Sequence, residues 1–190
     1  CAETDATCVD GFIQRLGSRA YRRPLAADEA ARLHAVYAWG QQNTTALDGV
    51  RMVMEVLLQS PDFLYRPELG SGEAGPGVLH LSSYEMATRL SYFLRGSMPD
   101  QILLDEAAAD RLKTPEQVLA QAQRMLSDPR ARDTFKSFHR QWLDLDRTSS
   151  IERDPKVYPG YTDAIPALLK QETESFIDHV IFEDGGRLST

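Results

Sequence analysis

Chemistry requires titratable or nucleophilic side chains at workable spacings, so the histidines, cysteines and isolated carboxylates are read first. The four histidines are His34, His80, His139 and His179. None stands in an H-x-x-x-H or H-E-x-x-H pattern, which would set two imidazoles on one helix face to hold zinc. A metal site would have to assemble from separate elements, and none is expected. His139 falls beside Phe138 and Trp142 and reads as a hydrogen-bonded residue at the edge of a core. Serine, histidine and aspartate are available for a triad, but no G-x-S-x-G elbow exists to mount the serine. No catalytic residue is assigned.

Glu172 is the one carboxylate whose position raises a question. With residues projected at 100° per step, it lies at the edge of the apolar face of the last helix, beside Ile165 and Phe176. A carboxylate there needs a partner, because burying an isolated charge is costly. Arg89 flanks the apolar face of the helix containing RLSYFL, and an Arg89–Glu172 bridge between two helices is the expected arrangement. The alternative makes Glu172 half of a catalytic pair, as in glycoside hydrolysis, where the carboxyl groups stand ~5 to ~9.5 Å apart. Nothing marks a second member. Glu174 and Asp178 project to the opposite side and are expected in solvent.

Cys1 and Cys8 make neither C-x-x-C nor C-x-x-C-H, so redox, zinc-ribbon and c-type haem readings lack their sequence requirement. A short disulfide loop joining Cys1 to Cys8 is the preferred reading. Pairing with residues upstream and two free thiols are the alternatives. No cofactor is expected in this chain.

Stepping out to the whole chain, 190 residues suit one large domain or two small ones. Hydrophobic residues at 42% and charged residues at 26% allow a real core and exclude a disordered or collagenous chain. A net charge of -7 argues against nucleic acid, whose phosphates need a concentrated basic surface. The one compact basic group, Arg19, Arg22 and Arg23, reads as a solvated helix face. No apolar run approaches the roughly 20 residues needed to span a bilayer. No signal peptide opens the chain, so an exported protein would already have lost it.

Apolar residues recur at helical spacing almost throughout, and no segment keeps the period-two alternation of a half-buried strand. The fold class expected is all-α, a multi-helix array in two packed helical subdomains. The first, residues 1–69, has helices from Val9 to Arg22, from Pro24 to a stop at Gly40, and from Leu47 to Gln59. Gly17 is expected to let helices approach closely. The third helix, apolar nearly all round, should be central. After it QSPDFLYRPE reads as a packed corner, with Phe63, Leu64 and Tyr65 turned onto the core. GSGEAGPG, residues 70–77, is the expected hinge or exposed loop.

The second subdomain, residues 78–190, opens with a Ser82/Glu85 capping box and a helix ending at Gly96. A short helix over Asp100–Asp110 follows, then a Thr114/Gln117 box with Pro115 at the first helical position. The helix after Pro129 carries Ala131, Phe135, Phe138 and Trp142 at helical spacing and is expected to bury them. Residues 144–162 look irregular. A last helix runs from Asp163 to Glu183 with Ile165, Leu169, Phe176 and Val180 inward.

Five phrases in order, FIQRLGSRAYRRPLAADE, DGVRMVMEVLLQSPDFLYR, YEMATRLSYFLRGSMPD, RMLSDPRARDTFKSFHRQWL and KQETESFIDHVIFED, resemble two adjoining domains of uncharacterised function. Those domains accompany c-type cytochrome domains in secreted proteins of planctomycete and myxobacterial type. The resemblance implies an exported, periplasmic or extracellular, multidomain protein of which this chain is a piece. Any haem c would sit in flanking domains outside it. The implied partners are other domains of the same full-length protein, with carbohydrate a further candidate. No established reaction comes with the resemblance, and the leading expectation is a non-catalytic structural or interaction module. The rival is a carbohydrate-active enzyme fragment using Glu172.

Overall fold

The structure is a computed structural model that describes residues 5–70, 73–75, 77–154, 156–184 and 186. Its described α-helices are α1 (Ala6–Tyr21), α2 (Ala27–Asn43), α3 (Ala46–Gln59), α4 (Pro61–Leu64), α5 (Ser83–Arg95), α6 (Gln101–Ala108), α7 (Pro115–Leu126), α8 (Pro129–Trp142) and α9 (Ile165–Phe182). A 3-10 segment covers Leu145–Ser150, and a short antiparallel hairpin pairs β1 (Glu73–Gly75) with β2 (Val78–Leu79). The all-α expectation holds. The chain divides into two compact units, Cys1–Ser91 with Met98–Leu119, and Tyr92–Ser97 with Ala120–Thr190.

Helix starts follow the caps written in the sequence. Thr45 accepts a bond from the Asp48 N–H at 3.1 Å, Asp100 from Leu103 at 2.9 Å and Asp128 from Arg130 at 3.0 Å. Each satisfies a donor that has no partner inside its helix. Both expected capping boxes form. The Ser82 N–H donates to Glu85 at 2.7 Å and the Glu85 N–H to Ser82 Oγ at 3.3 Å, while Thr114 and Gln117 exchange bonds of 3.1 and 3.4 Å. Glu85 also accepts from the Leu69 and Gly70 amides at 2.7 and 3.1 Å, which ties the end of the QSPDFLYRPE corner to the start of α5. Gly96, at φ 59°, ends α5 in the left-handed conformation a helix C-terminus favours.

In the first unit α1, α2 and α3 bury Val9, Ile13, Leu33, Tyr37, Val53 and Leu57 against one another. A side chain such as Ile13 or Leu57, removed from water, contributes about 1.5–3 kcal/mol. Gly40 does not stop α2, which runs on to Asn43. A Cβ on Gly40 would stand 2.6 Å from the Gly49 Cα, and one on Gly49 would stand 2.7 Å from the Tyr37 carbonyl. Gly40 and Gly49 are therefore the contact between α2 and α3, and the backbones meet where side chains would hold them apart. Gly17 admits the Leu25 side chain rather than a helix. The central role expected for α3 is also corrected: Val53 and Leu57 are buried, but Met54, Val56 and Leu58 face solvent. Its neighbours α1 and α2 bury the stripe of Gly49, Val53 and Leu57, with Val50 partly covered beside it. Trp39 on α2 is exposed as well.

The second unit is built on α8, the 3-10 segment and α9, with Ala131, Leu145, Ile177 and Val180 buried. Phe135 meets Phe182 edge to face, centroids 5.6 Å apart. The phase of α9 differs from expectation. Ile177 and Val180 point inward, whereas Phe176 and Leu169 are exposed, and Glu174 and Asp178 turn toward α8. Arg140 donates to Glu174 at 3.0 Å and Arg132 to Asp178 at 2.9 Å. Lys170 pairs with Asp146 of the 3-10 segment. Ion pairs at the α8–α9 seam set the rotation that apolar periodicity alone left ambiguous.

Candidate functional site

The corner at residues 60–68 is organised differently from its apolar appearance. Ser60 accepts from the Asp62 N–H at 3.2 Å to start α4, and Pro61 occupies its first turn. Leu64 and Tyr65 are largely exposed, at 61% and 69%, so the corner is not held by apolar side chains on the core. It is held by Arg22. This residue ends α1 at φ 59° and is buried, and its guanidinium donates to the carbonyls of Asp62, Phe63 and Tyr65 and to its own neighbour Ala20. The Tyr65 and Ala20 bonds are 2.7 and 3.1 Å. A helix of one turn cannot satisfy its own carbonyls, and one guanidinium with five N–H donors does so for several at once.

Arg23 extends the arrangement. It makes a fork-to-fork pair with Glu29, both bonds 2.8 Å, and reaches Asp62 at 3.1 Å. The Glu29 carboxylate also accepts the Ala26 N–H at 2.7 Å. The Arg23 bonds, against some burial, hold the Glu29 pKa down to about 2. Arg22 and Arg23 are thus structural, not the solvated face expected of them; Arg19 remains exposed. No local signal in the sequence marks this role, because the corner carbonyls that Arg22 serves lie about forty positions along the chain.

Arg89, expected to bridge to Glu172, has a carboxylate partner within its own unit. Arg89 donates through Nε to Glu68 Oε1 at 2.8 Å and through Nη2 to Glu68 Oε2. This pairing holds the Glu68 carboxyl below its ordinary range. Glu172 is exposed on α9. The half-buried position that would have demanded a partner does not exist, because α9 is turned to give Glu174 and Asp178 the inward edge.

His34 lies 3.0 Å from Asp10, His139 Nδ1 is 2.8 Å from the Phe135 carbonyl, and His179 sits beside Glu183 and Asp184, which push its pKa up. His80 is exposed after β2. Among the described residues no three His, Cys, Asp or Glu side chains converge as a metal site would require. Cys1 lies outside the described residues; Cys8 sits in the first turns of α1. No described helix is long and apolar enough to cross a membrane.

Two surface features could bind something. On α8 the stripe expected in the core is largely exposed. Phe138 and Trp142 stand 58% and 68% in solvent, stacked on one another with centroids 6.0 Å apart. With Arg130, Asp133 and Thr134 on the same face of α8, and with Arg95 and Gly96, they line an open groove of about 700 Å³. Beneath it Arg95 is buried and reaches Asp128 at 3.2 Å, and Arg130 closes on the same carboxylate. Arg130, then its own amide and Arg95, hold the Asp128 pKa far below the usual carboxylate range. The second feature is a groove of about 490 Å³ in the first unit, between Arg15 and Arg19 of α1, Tyr84 of α5 and Gln101 and Asp105 of α6.

A helical array held by ion pairs, with open grooves on its surface, defines a fold class. Within that class the chain belongs to the PSD4 family, a protein of unknown function (DUF1592), which matches residues 81–190. Residues 8–68 match PSD5, likewise a protein of unknown function (DUF1595). No curated protein and no solved structure matches the chain.

Proposed function

We propose that the chain is a non-catalytic structural or interaction module of an exported multidomain protein, and that its main partners are other domains of the same polypeptide. A c-type cytochrome domain is one such partner on this reading, with haem c carried there, and polysaccharide-related partners belong to the same setting. The observation that supports it most is the Phe138–Trp142 face of α8. Burying an aromatic side chain contributes about 1.5–3 kcal/mol, and two stacked rings left in water forgo that gain. Aromatic residues are enriched where protein surfaces meet, so an exposed pair bordering a groove suits a covering partner. The carboxylates of Glu29, Glu68 and Asp128 are displaced downward from their ordinary range by arginines. A general acid needs displacement upward.

The test is binding in trans between this chain and the remaining domains of its own full-length polypeptide, measured by calorimetry. Saturable binding that is lost in the Phe138→Ser, Trp142→Ser double variant is the expected result. Equal binding by parent and double variant removes the face from the proposal, and no binding at all removes the module reading.

A further inference from the structure

Most described arginines of the first unit are engaged within the chain. Arg22 serves carbonyls, Arg23 holds Glu29 and Asp62, and Arg32, Arg51, Arg89 and Arg111 pair with Asp28, Asp48, Glu68 and Glu106. Arg15 and Arg19 are different. Both are exposed, they stand one helical turn apart on the same face of α1, and neither has a hydrogen bond or ion pair among the described residues. Two like charges at this spacing disfavour the helix slightly. In a chain of net charge -7, acids to neutralise them are plentiful, yet none among the described residues bonds to either, and Asp105 stands on the opposite wall of the groove they border. Arg19 suits the last turn of α1, where the helix dipole welcomes a cation, but Arg15 is a full turn too early for that.

The walls of the groove differ in character. On the α1 side Gln14 and Ser18 alternate with the two guanidiniums. On the far side Gln101 donates to Asp105 at 2.8 Å, and the half-buried Tyr84 stands nearby. The Tyr84 phenol O–H, which burial and then the Asp105 charge push further upward, is a donor at neutral pH. One wall therefore takes an anion and the other takes hydroxyl groups.

We propose that this groove binds an acidic saccharide, with a uronate-type carboxylate on Arg15 and Arg19 and sugar hydroxyls on Gln101, Asp105 and Tyr84. Guanidinium forks match carboxylate oxygens in plane. A ligand charged on all sides, such as a nucleic acid or polyphosphate, would meet Asp105 as a repulsive wall. An acidic peptide fits less well, because the walls are helices whose backbone groups are already bonded, leaving the peptide's own amides without partners. The inference is independent of the α8 face.

The 190-residue chain, titrated calorimetrically with trigalacturonate, tests it. Saturable binding is expected, falling with added salt, and weakened about tenfold by Arg15→Gln, by Arg19→Gln and by methyl esterification of the ligand. Arg32→Gln, which alters an arginine already paired on α2, leaves binding unchanged. Circular dichroism confirms that each exposed-site variant stays folded. No saturable binding up to about 10 mM overturns the proposal. Triglutamate binding as tightly as the trisaccharide moves the site to acidic peptides and overturns the saccharide assignment. Inorganic sulfate binding equally well reduces it to a simple oxyanion site and overturns it too.

Discussion

In the first unit Arg22 turns its guanidinium onto the backbone carbonyls of the α4 corner, whereas in the second Arg132 and Arg140 of α8 reach the carboxylates Asp178 and Glu174 of α9. The first joint has one donor serving several neutral acceptors, with no carboxylate among the described partners of its guanidinium. The second has matched charges that titrate and can be replaced in pairs. Loss of Arg22 leaves several carbonyls, most of them part-buried, without their donor together, whereas loss of one α8 arginine leaves one half-buried carboxylate, which can turn toward water. The corner is thus the less forgiving joint.

That contrast is broken most directly at Arg22. Arg22→Ala should destabilise the chain by about 3 kcal/mol, as expected when a buried multiple donor is removed, measured by urea denaturation. Arg22→Gly should recover up to about 1 kcal/mol of that, because glycine adopts φ 59° without strain; equal losses would mean that the left-handed backbone contributes nothing. Asp178→Asn is expected to cost about 1–2 kcal/mol, and combining it with Arg132→Met should recover part of the loss. Strict additivity in that cycle would erase the proposed difference between the joints.

Acid sharpens the comparison within the first unit. Glu29 titrates at about 2 in the folded chain against an ordinary 4.5, so its contribution is present above pH 4.5 and is lost as pH falls through 2. After allowance for screening it is worth about 1–2 kcal/mol, and Glu29→Gln should flatten that part of the stability–pH curve. Smaller still is Ala26→Thr. The Glu29 half of a capping box is in place and Ala26 has the extended backbone of a cap but no acceptor, so threonine should add about 1 kcal/mol. Smallest of all, Phe138→Ser with Trp142→Ser should change the stability of this chain by no more than about 0.5 kcal/mol, since both rings are already in solvent.

The helices were legible because their stops and starts are local. Ser82, Asp100, Thr114 and Asp128 cap where their side chains reach the next turn, and no distant residue is needed to form those bonds. Facing was less legible. Phe138 and Phe176 are as apolar as Ile177, but which of them turns inward depends on where Arg132 and Arg140 find carboxylates, a fact of packing between α8 and α9. The same limit hid Arg22, whose acceptors lie about forty positions along the chain. Arg15 and Arg19 could not be distinguished from their neighbours in sequence either, since having no partner is a property of the folded surface alone.

The two tryptophans fall one to each unit, Trp39 on α2 and Trp142 on α8, and both indoles face water. In the folded chain their fluorescence should already be red-shifted and open to collisional quenching by iodide, so unfolding will move the emission maximum little. The same placement makes Trp142 a built-in reporter: whatever settles over α8 will shift its emission to the blue and shield it from quencher, while Trp39 supplies an unchanged reference within the same molecule.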